Sequence, residues 1–428
     1  MSIYDKARLI QTPSGYKASK LYSAIPQSGV GDFDLIRSGL ATQTNKQGFI
    51  ETVNANVPRL NYPFIDGVLQ ECPQLLLEGK RTNEITYSEE LEGVGWSRSN
   101  MLVTNASEIL DPANGSETRK LKRISTGASY AYNVFNKQTS RYDYTSSFYI
   151  KKGVGDYVSF KSQGLPVSNK VDVRFQFSTK SIYYTNETFP DFKIVSTKVE
   201  ELKNGWFRVS WRIRSDVSNQ LVTFISPRSS DGNIDDSDSN SDAFVYVFGA
   251  MVEKGVYPTS YIRTTGSSVT RNLDKLGNAG NSTLFDFTEG VLFLDSFTND
   301  FGNSVYWWRI SLSDATNFNN IELVFNSSGS SISFIMSSGG TTYVNETIPF
   351  TFDQVNKIAF SFKAGEYKGY INGVLVFSTN QPQFPLSLST LNFSNPLREF
   401  GTFYKGRINQ LVLFDELTHS ELQTLTTL

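Results

Sequence analysis

GWFRVSWRIRS, residues 205–215, is the stretch whose reading decides the fold. Phe207, Val209, Trp211 and Ile213 alternate with Arg208, Ser210, Arg212 and Arg214. Successive side chains of an extended strand point to opposite faces, so this period of two predicts a strand with one face in a core. KVDVRFQF (170–177) repeats the pattern with Val171, Val173, Phe175 and Phe177. DAFVYVFGAMVE (242–253) is apolar on both faces, as a strand covered on both sides requires. Long helical periodicity is scarce, and Gly, Asn, Asp or Ser closes each run. The expectation is a mainly β chain containing two antiparallel β-sandwich (jelly-roll) domains.

Composition agrees. At 428 residues the chain has room for two or three domains. Aromatic residues reach 14% while charged residues stop at 19%, a balance that suits pleated, half-buried surfaces. Forty Lys and Arg face 42 Asp and Glu, so no basic surplus exists to neutralise a phosphate backbone and nucleic acid is not an expected partner. Cys72 and His419 are the only residues of their types, which rules out an internal disulfide and a Cys/His zinc site within the chain. The opening MSIYDKARLIQTPSGYKASK lacks the apolar run of a signal peptide, and no apolar segment is long enough to span a membrane. Synthesis in a cytoplasm without cleavage, and no membrane insertion, are expected.

Four regions separate along the chain. Residues 1–80 read as irregular, interrupted by Gly29, Gly31, Pro58, Pro63 and Pro73. Residues 81–265 carry one set of strands, 266–280 a polar linker, and 281–428 a second set. Within the last, Asn372-Gly373 between two apolar runs predicts a hairpin, and Thr418 with Glu421 three residues later predicts a capping box for a terminal helix. The stretch PQLLLEGKRTNEITYS (73–88) lies at the seam between the first two regions. Its three leucines read as a strand covered on both faces. Glu78, Arg81 and Asn83 beside it are expected to tie strand ends together, because buried polar groups need partners.

Candidate chemistry is sparse. His419, the only imidazole, reads as a surface residue of the terminal helix, with no nucleophile motif beside it. Paired carboxylates suffice for glycoside hydrolysis, yet the Glu-x-Asp of strand-borne glucanase sites is nowhere in the chain. No enzyme is expected. In SPRSSDGNIDDSDSNSDAF (226–244), Asp231, Asn233 and Asp235 alternate as calcium ligands do, but Asp236 stands where the sharp turn needs Gly and no Glu closes the loop. A mobile, solvated loop is the favoured reading. Calcium held by those three residues is the alternative, and no other cofactor is expected. RKLKRIS (119–125) reads as a charged strand edge that discourages unwanted pairing. In SVYWWRISLS (304–313), Tyr306 and Trp308 fall on the face of Ile310 and Leu312, leaving Trp307 on the opposite one. There Trp307 is the candidate platform for a sugar ring. Trp96 and Trp206 read as core anchors.

Several longer stretches carry a resemblance: LLLEGKRTNEITYSEELEGVGWSRSN (75–100), YTSSFYIKKGVGDYV (144–158), NGWFRVSW (204–211) and FGAMVEKGVYPTSYIRTTGSSVTRNLD (248–274). They resemble segments that recur in bacteriophage structural proteins and lead into a jelly roll similar to carbohydrate-binding modules. Upstream, LYSAIPQSGVGDFDLIRSGLATQTNKQGFIETVNANVPRLNY (21–62) resembles the segment that precedes that module. YINGVLVF (370–377) and GRINQLVLFDELTHSELQTLTTL (406–428) resemble a concanavalin-A-like or laminin-G-like sandwich. Arg263, where such proteins often have Pro, and the long acidic loop at 231–242 are departures. The resemblance implies a virion protein, a head or tail fibre or decoration protein, attached to other virion proteins through residues 1–80. It implies a homo-oligomer whose two sandwiches adhere to host-surface or mucus glycans. A purely structural capsid or tail component without sugar binding is the alternative, and a polysaccharide depolymerase a weaker third.

Overall fold

The structure is a computed structural model that describes residues 2–166, 169–186, 191–298, 307–316, 318–326, 330–394 and 403–428. It is almost entirely antiparallel β, and His419–Thr426 is the only α-helix among the described residues. GWFRVSWRIRS forms the strand Trp206–Arg214, and the alternation works as expected: Phe207, Val209, Trp211 and Ile213 enter the core. That strand belongs to a six-stranded sheet ordered Met101–Asn105, Arg119–Arg123, Phe244–Lys254, Asp143–Val154, Trp206–Arg214, Lys193–Glu201. A second six-stranded sheet packs on it, ordered Trp96–Ser99, Tyr130–Asn136, Gln220–Arg228, Tyr157–Leu165, Lys170–Gln176, Ser181–Asn186. Between them Trp211 stacks on Phe148 at 5.9 Å and tilts against Phe160 at 4.9 Å. Each such buried ring contributes roughly 2–3 kcal/mol of transfer free energy. RKLKRIS corrects an expectation: Arg119–Arg123 is paired on both sides and is not an edge strand. Arg123 is fully buried, donating to the Gly127 carbonyl at 2.5 Å.

The second sandwich sets a five-stranded sheet (Thr341–Pro349, Ser331–Ser338, Asn320–Phe325, Trp308–Ser313, Thr390–Asn392) against an eight-stranded one. Asn372 and Gly373 take positive φ of 50° and 83° at the hairpin between Glu366–Ile371 and Val374–Thr379, as their sequence predicts. The terminal helix starts at Thr418 with the capping box in place, and lays Leu422 and Leu425 on the outer face of the larger sheet.

Residues 1–80 depart from the expected irregular segment. Gly406–Phe414 is paired along one side by Glu289–Phe297, and along the other by Gln74–Leu77 and Ala7–Gln11 end to end. Leu60–Asn61 then pairs with Gln74–Leu77. Leu75, Leu76 and Leu77 are all buried, which bears out the reading of a strand covered on both faces. Leu9, Leu21, Phe33, Leu35, Leu75 and Leu77 join the core of the second sandwich. Parts of the first 80 residues are therefore built into the C-terminal sandwich, while the hairpin of Ala41–Thr44 and Ile50–Val53 packs on the first one. The 266–280 stretch is likewise structured: Val269–Arg271 pairs with Arg81–Asn83, and Lys275–Gly277 with Phe33–Ile36. Short strands drawn from distant parts of the chain thus converge around residue 78.

Candidate functional site

At that convergence five charged side chains are buried together: Arg37, Arg59, Glu78, Arg271 and Asp274. Glu78 Oε2 accepts from Arg59 Nη1 at 2.6 Å, Arg271 Nη1 at 2.5 Å and Ser260 Oγ at 2.7 Å, while Oε1 accepts from the Ser260 N–H at 2.9 Å. Asp274 accepts from Arg37 Nη1 at 2.9 Å, from Arg59 Nη2, and from the Glu78 N–H at 2.8 Å. Backbone carbonyls take further donors: Asn54 and Val57 for Arg37, Thr42 for Arg59, Gly79 for Arg271. Burial alone would push the Glu78 carboxyl up, but Arg271 and Arg59 with the Ser260 bonds hold it well below the usual carboxylate range. For Arg59 burial pulls down, and the two carboxylates outweigh it, leaving the guanidinium above its ordinary value.

Glu78 and Asn83 therefore sit in the seam. Asn83 is fully buried, donating to the carbonyls of Ala250 and Ile262 at 3.2 and 2.9 Å and accepting from the Val252 N–H at 3.1 Å. Arg81, in the strand paired with Val269–Arg271, lays its guanidinium over the Tyr257 ring at 5.5 Å and donates to the Lys80 carbonyl at 3.2 Å. The arginine that reaches Glu78 is its cross-strand partner, Arg271.

Above Glu78 opens a cavity of about 150 Å³. Its floor is the outer face of the sheet that holds Trp206–Arg214, where register aligns Phe248, Tyr149, Arg208 and Glu200 in one row. Gly249 makes this row compact. At φ 59° it forms part of a β-bulge, and a Cβ there would meet the Tyr149 and Tyr261 rings at 3.0 Å. One wall is the hairpin of Ala41–Thr44 and Ile50–Val53, anchored by Thr42 Oγ1 on the Tyr261 carbonyl at 2.6 Å and by the Ile50 N–H on the Pro112 carbonyl at 2.9 Å. Opposite, the C-terminal sandwich contributes Arg407. Tyr62 and Phe64 stand half-buried at the rim.

Arg208 is buried under Tyr149 at 5.1 Å and gives Nη2 to Ser147 Oγ at 3.1 Å and Met251 Sδ at 3.7 Å. Arg407 lies over Phe297 at 4.0 Å, and burial lowers its pKa against the pull of Glu200. Glu200 bonds Lys198 at 3.0 Å. Burial would raise its carboxyl, yet Lys198, Arg208 and Arg407 bring it down to about 2. Glu253, buried beneath, accepts from the Thr259 N–H at 3.0 Å and from its hydroxyl, and burial pushes its carboxyl up.

The other sequence candidates lie elsewhere. Asp231, Asn233 and Asp235 do not converge as ligands: Asp231 pairs with Arg174 at 2.9 Å and Asp235 with Lys161 at 3.0 Å and Lys170 at 3.4 Å. The Asn233 carbonyl accepts from Arg228 at 2.7 Å. Among the described residues no group of three His, Cys, Asp or Glu side chains is placed to hold a metal. The loop keeps Asp231, Asp235, Asp236 and Asp242 exposed, as a solvated loop does, but it is pinned to the sheet. Ile234 is fully buried against Val222 and Phe224, and Arg228 gathers the carbonyls of Asn233, Asp236 and Ser237. Trp307 is 51% exposed and Trp308 is buried, while Tyr306 lies outside the described residues. Trp96 and Trp206 are buried, each giving its indole N–H to a carbonyl, of Tyr87 and Leu110. His419 is exposed and meets the Tyr370 hydroxyl at 2.5 Å through Nδ1. Nothing in the linear pattern marks Arg208 and Arg407 as a pair, since only the fold brings them to one cavity.

No curated protein sequence matches this chain. Among solved structures, similarity is found to the carbohydrate-binding module of the Ruminococcus gnavus IT-sialidase bound to α2,3-sialyllactose: 15% identity, 36% of this chain, 94% of that chain, TM-score 0.29. Domain 4 of AbnA, an extracellular arabinanase from Geobacillus stearothermophilus in complex with arabinotriose, is similar at 16% identity over 40% of this chain and 82% of that one, TM-score 0.30. A human galectin-16 variant is similar at 8% identity over 30% and 90%, TM-score 0.24. Residues 301–423 match the family model of the concanavalin A-like lectin/glucanases superfamily, which places the second sandwich with that fold.

Proposed function

We propose that this is a non-catalytic, glycan-binding adhesion protein, carried on a bacteriophage virion as a fibre or decoration protein. The observation that carries the glycan reading is the preformed cleft at the seam. It has half-buried aromatic rings at its rim and fixed hydrogen-bonding side chains within, the usual composition of a small-molecule site. Sugar rings present apolar C–H faces to aromatic side chains and hydroxyls to polar ones. The lectin-type match of residues 301–423 supports it. The virion assignment draws on the resemblance of residues 21–62, 75–100 and 248–274 to phage structural segments.

Binding is favoured over hydrolysis by the state of the carboxylates. Of the carboxylates that line the cleft, Glu78 is engaged by Arg59 and Arg271, Asp111 by three backbone N–H groups and Glu200 by Lys198, an arrangement that supports binding. Weak contacts at single sites become effective when many copies act together. Glycan-array screening of the full chain in its assembled form tests the reading, alongside host adsorption by virions lacking the protein. Bound glycans and reduced adsorption are expected. An empty array with unchanged adsorption would leave a purely structural component, and release of oligosaccharide from host capsule would make it a depolymerase.

A further inference from the structure

A guanidinium taken out of water needs acceptors, and its planar fork matches a carboxylate best. The charged groups of the seam cleft can be matched to partners one by one. Of its carboxylates, Glu78 is taken by Arg59 and Arg271, and Glu200 by Lys198. Asp111 is taken by the N–H groups of Ala113, Gly115 and Glu117. Of its cations, Lys198 has Glu200, and Lys203 has the Gln47 carbonyl at 3.0 Å. Two remain. Among the described residues Arg208 bonds only a hydroxyl and a thioether. Arg407 makes no hydrogen bond or ion pair with the described residues and rests on Phe297 alone. Both line the same cavity, one from each sandwich.

The geometry points to a ligand that brings its own negative charge: resting on the glycan-binding reading above, the cleft receives the carboxylate of an acidic sugar. Arg208 and Arg407 hold the carboxylate between them, and Tyr62 and Phe64 flank the sugar ring. At about 150 Å³ the cavity is smaller than the roughly 300–1,000 Å³ of sites for larger ligands, so it takes one sugar residue, a terminus or a branch. A neutral sugar leaves both guanidinia without a carboxylate. A site built around a polar partner rejects analogues that lack it far more strongly than an apolar pocket does.

The test is calorimetric titration of the full chain with a panel of matched oligosaccharides, ending in a uronate or sialate residue, in the neutral counterpart, or in a sulfated sugar. Arg407→Gln is the variant of choice because Arg407 makes no hydrogen bond or ion pair with the described residues. Wild type is expected to bind at least one carboxylated sugar about tenfold more tightly than its neutral partner. Arg407→Gln is expected to lose that preference with an unchanged unfolding midpoint. Equal affinity for acidic and neutral members, a preference that survives in Arg407→Gln, or binding confined to sulfated sugars would overturn the inference. In the first two cases neutral binding leaves the glycan reading standing. Failure of every sugar to bind would take down that reading as well.

Discussion

Two sets of arginines share the seam, one on either side of Glu78, and they keep different company. Arg37, Arg59 and Arg271 are buried and each bonds a carboxylate. Arg208 and Arg407 line the cavity next to them and bond none among the described residues. The difference lies in partners, since residue type is constant and Arg208 is nearly as buried as the first three. The first set holds strands together. A buried ion network contributes little net stability over an apolar one of the same shape, but it is unforgiving of a missing member. The second set rests on rings and shares the nearby charge of Glu200 without bonding it, which leaves its donors open to a ligand.

The comparison is broken most severely at Glu78. Glu78→Gln leaves Arg59 and Arg271 facing an uncharged amide in a buried site, and a loss of about 3–5 kcal/mol in urea unfolding is expected. A loss under about 1 kcal/mol would mean that the knot does not hold the seam. Acid should act in the same direction. Carboxyls depressed in the folded state stabilise it above their ordinary value of 4.5 and lose that contribution as pH falls toward the folded value, below 4.5 for Glu78 and about 2 for Glu200. Glu253, pushed up by burial, works the other way and limits the effect. Glu200, with its side chain one-third exposed, contributes a small, screened share. The stability of wild type is therefore expected to fall between pH 4.5 and 2, and Glu78→Gln to show a flatter profile over the same range.

A smaller effect sharpens the other side. Gly249→Ala puts a methyl group against the rings of Tyr149 and Tyr261 at a positive φ, costing about 1–3 kcal/mol. It also disturbs the ring under which Arg208 lies, so weaker sugar binding should accompany the loss. Unchanged binding would detach Arg208 from the site. The smallest effect on stability belongs to Arg407→Gln, within about 0.5 kcal/mol, because no direct hydrogen bond or ion pair is lost and Glu200 keeps Lys198.

Strand content was legible wherever runs were long enough to show a period. Trp206–Arg214 and Lys170–Gln176 alternate over nine and seven residues. The first 80 residues hid their strands because these are two to five residues long, too short for alternation to register. Glu78 and Asn83 could be located because a leucine run beside polar residues implies buried polar groups. Arg271 could not, since the pairing of Arg81–Asn83 with Val269–Arg271 closes a loop of nearly two hundred residues. The segments resembling phage proteins prove to be those that supply the knot: Arg37 and Arg59 come from residues 21–62, Glu78 from 75–100, and Ser260, Arg271 and Asp274 from 248–274. The composition of the acidic loop showed its exposed charges but not its anchor. Its charges suggested solvent, while one isoleucine and one arginine fasten it to the sheet.

The separation of fold-holding from ligand-holding arginines is tested most directly by thermal unfolding of wild type and Arg407→Gln, each with and without a carboxylated oligosaccharide. A ligand that binds only the folded state raises the midpoint by mass action. Equal midpoints without sugar, and a rise on adding it in wild type alone, are predicted. A lower midpoint for sugar-free Arg407→Gln, or the same rise in both proteins, would contradict the account.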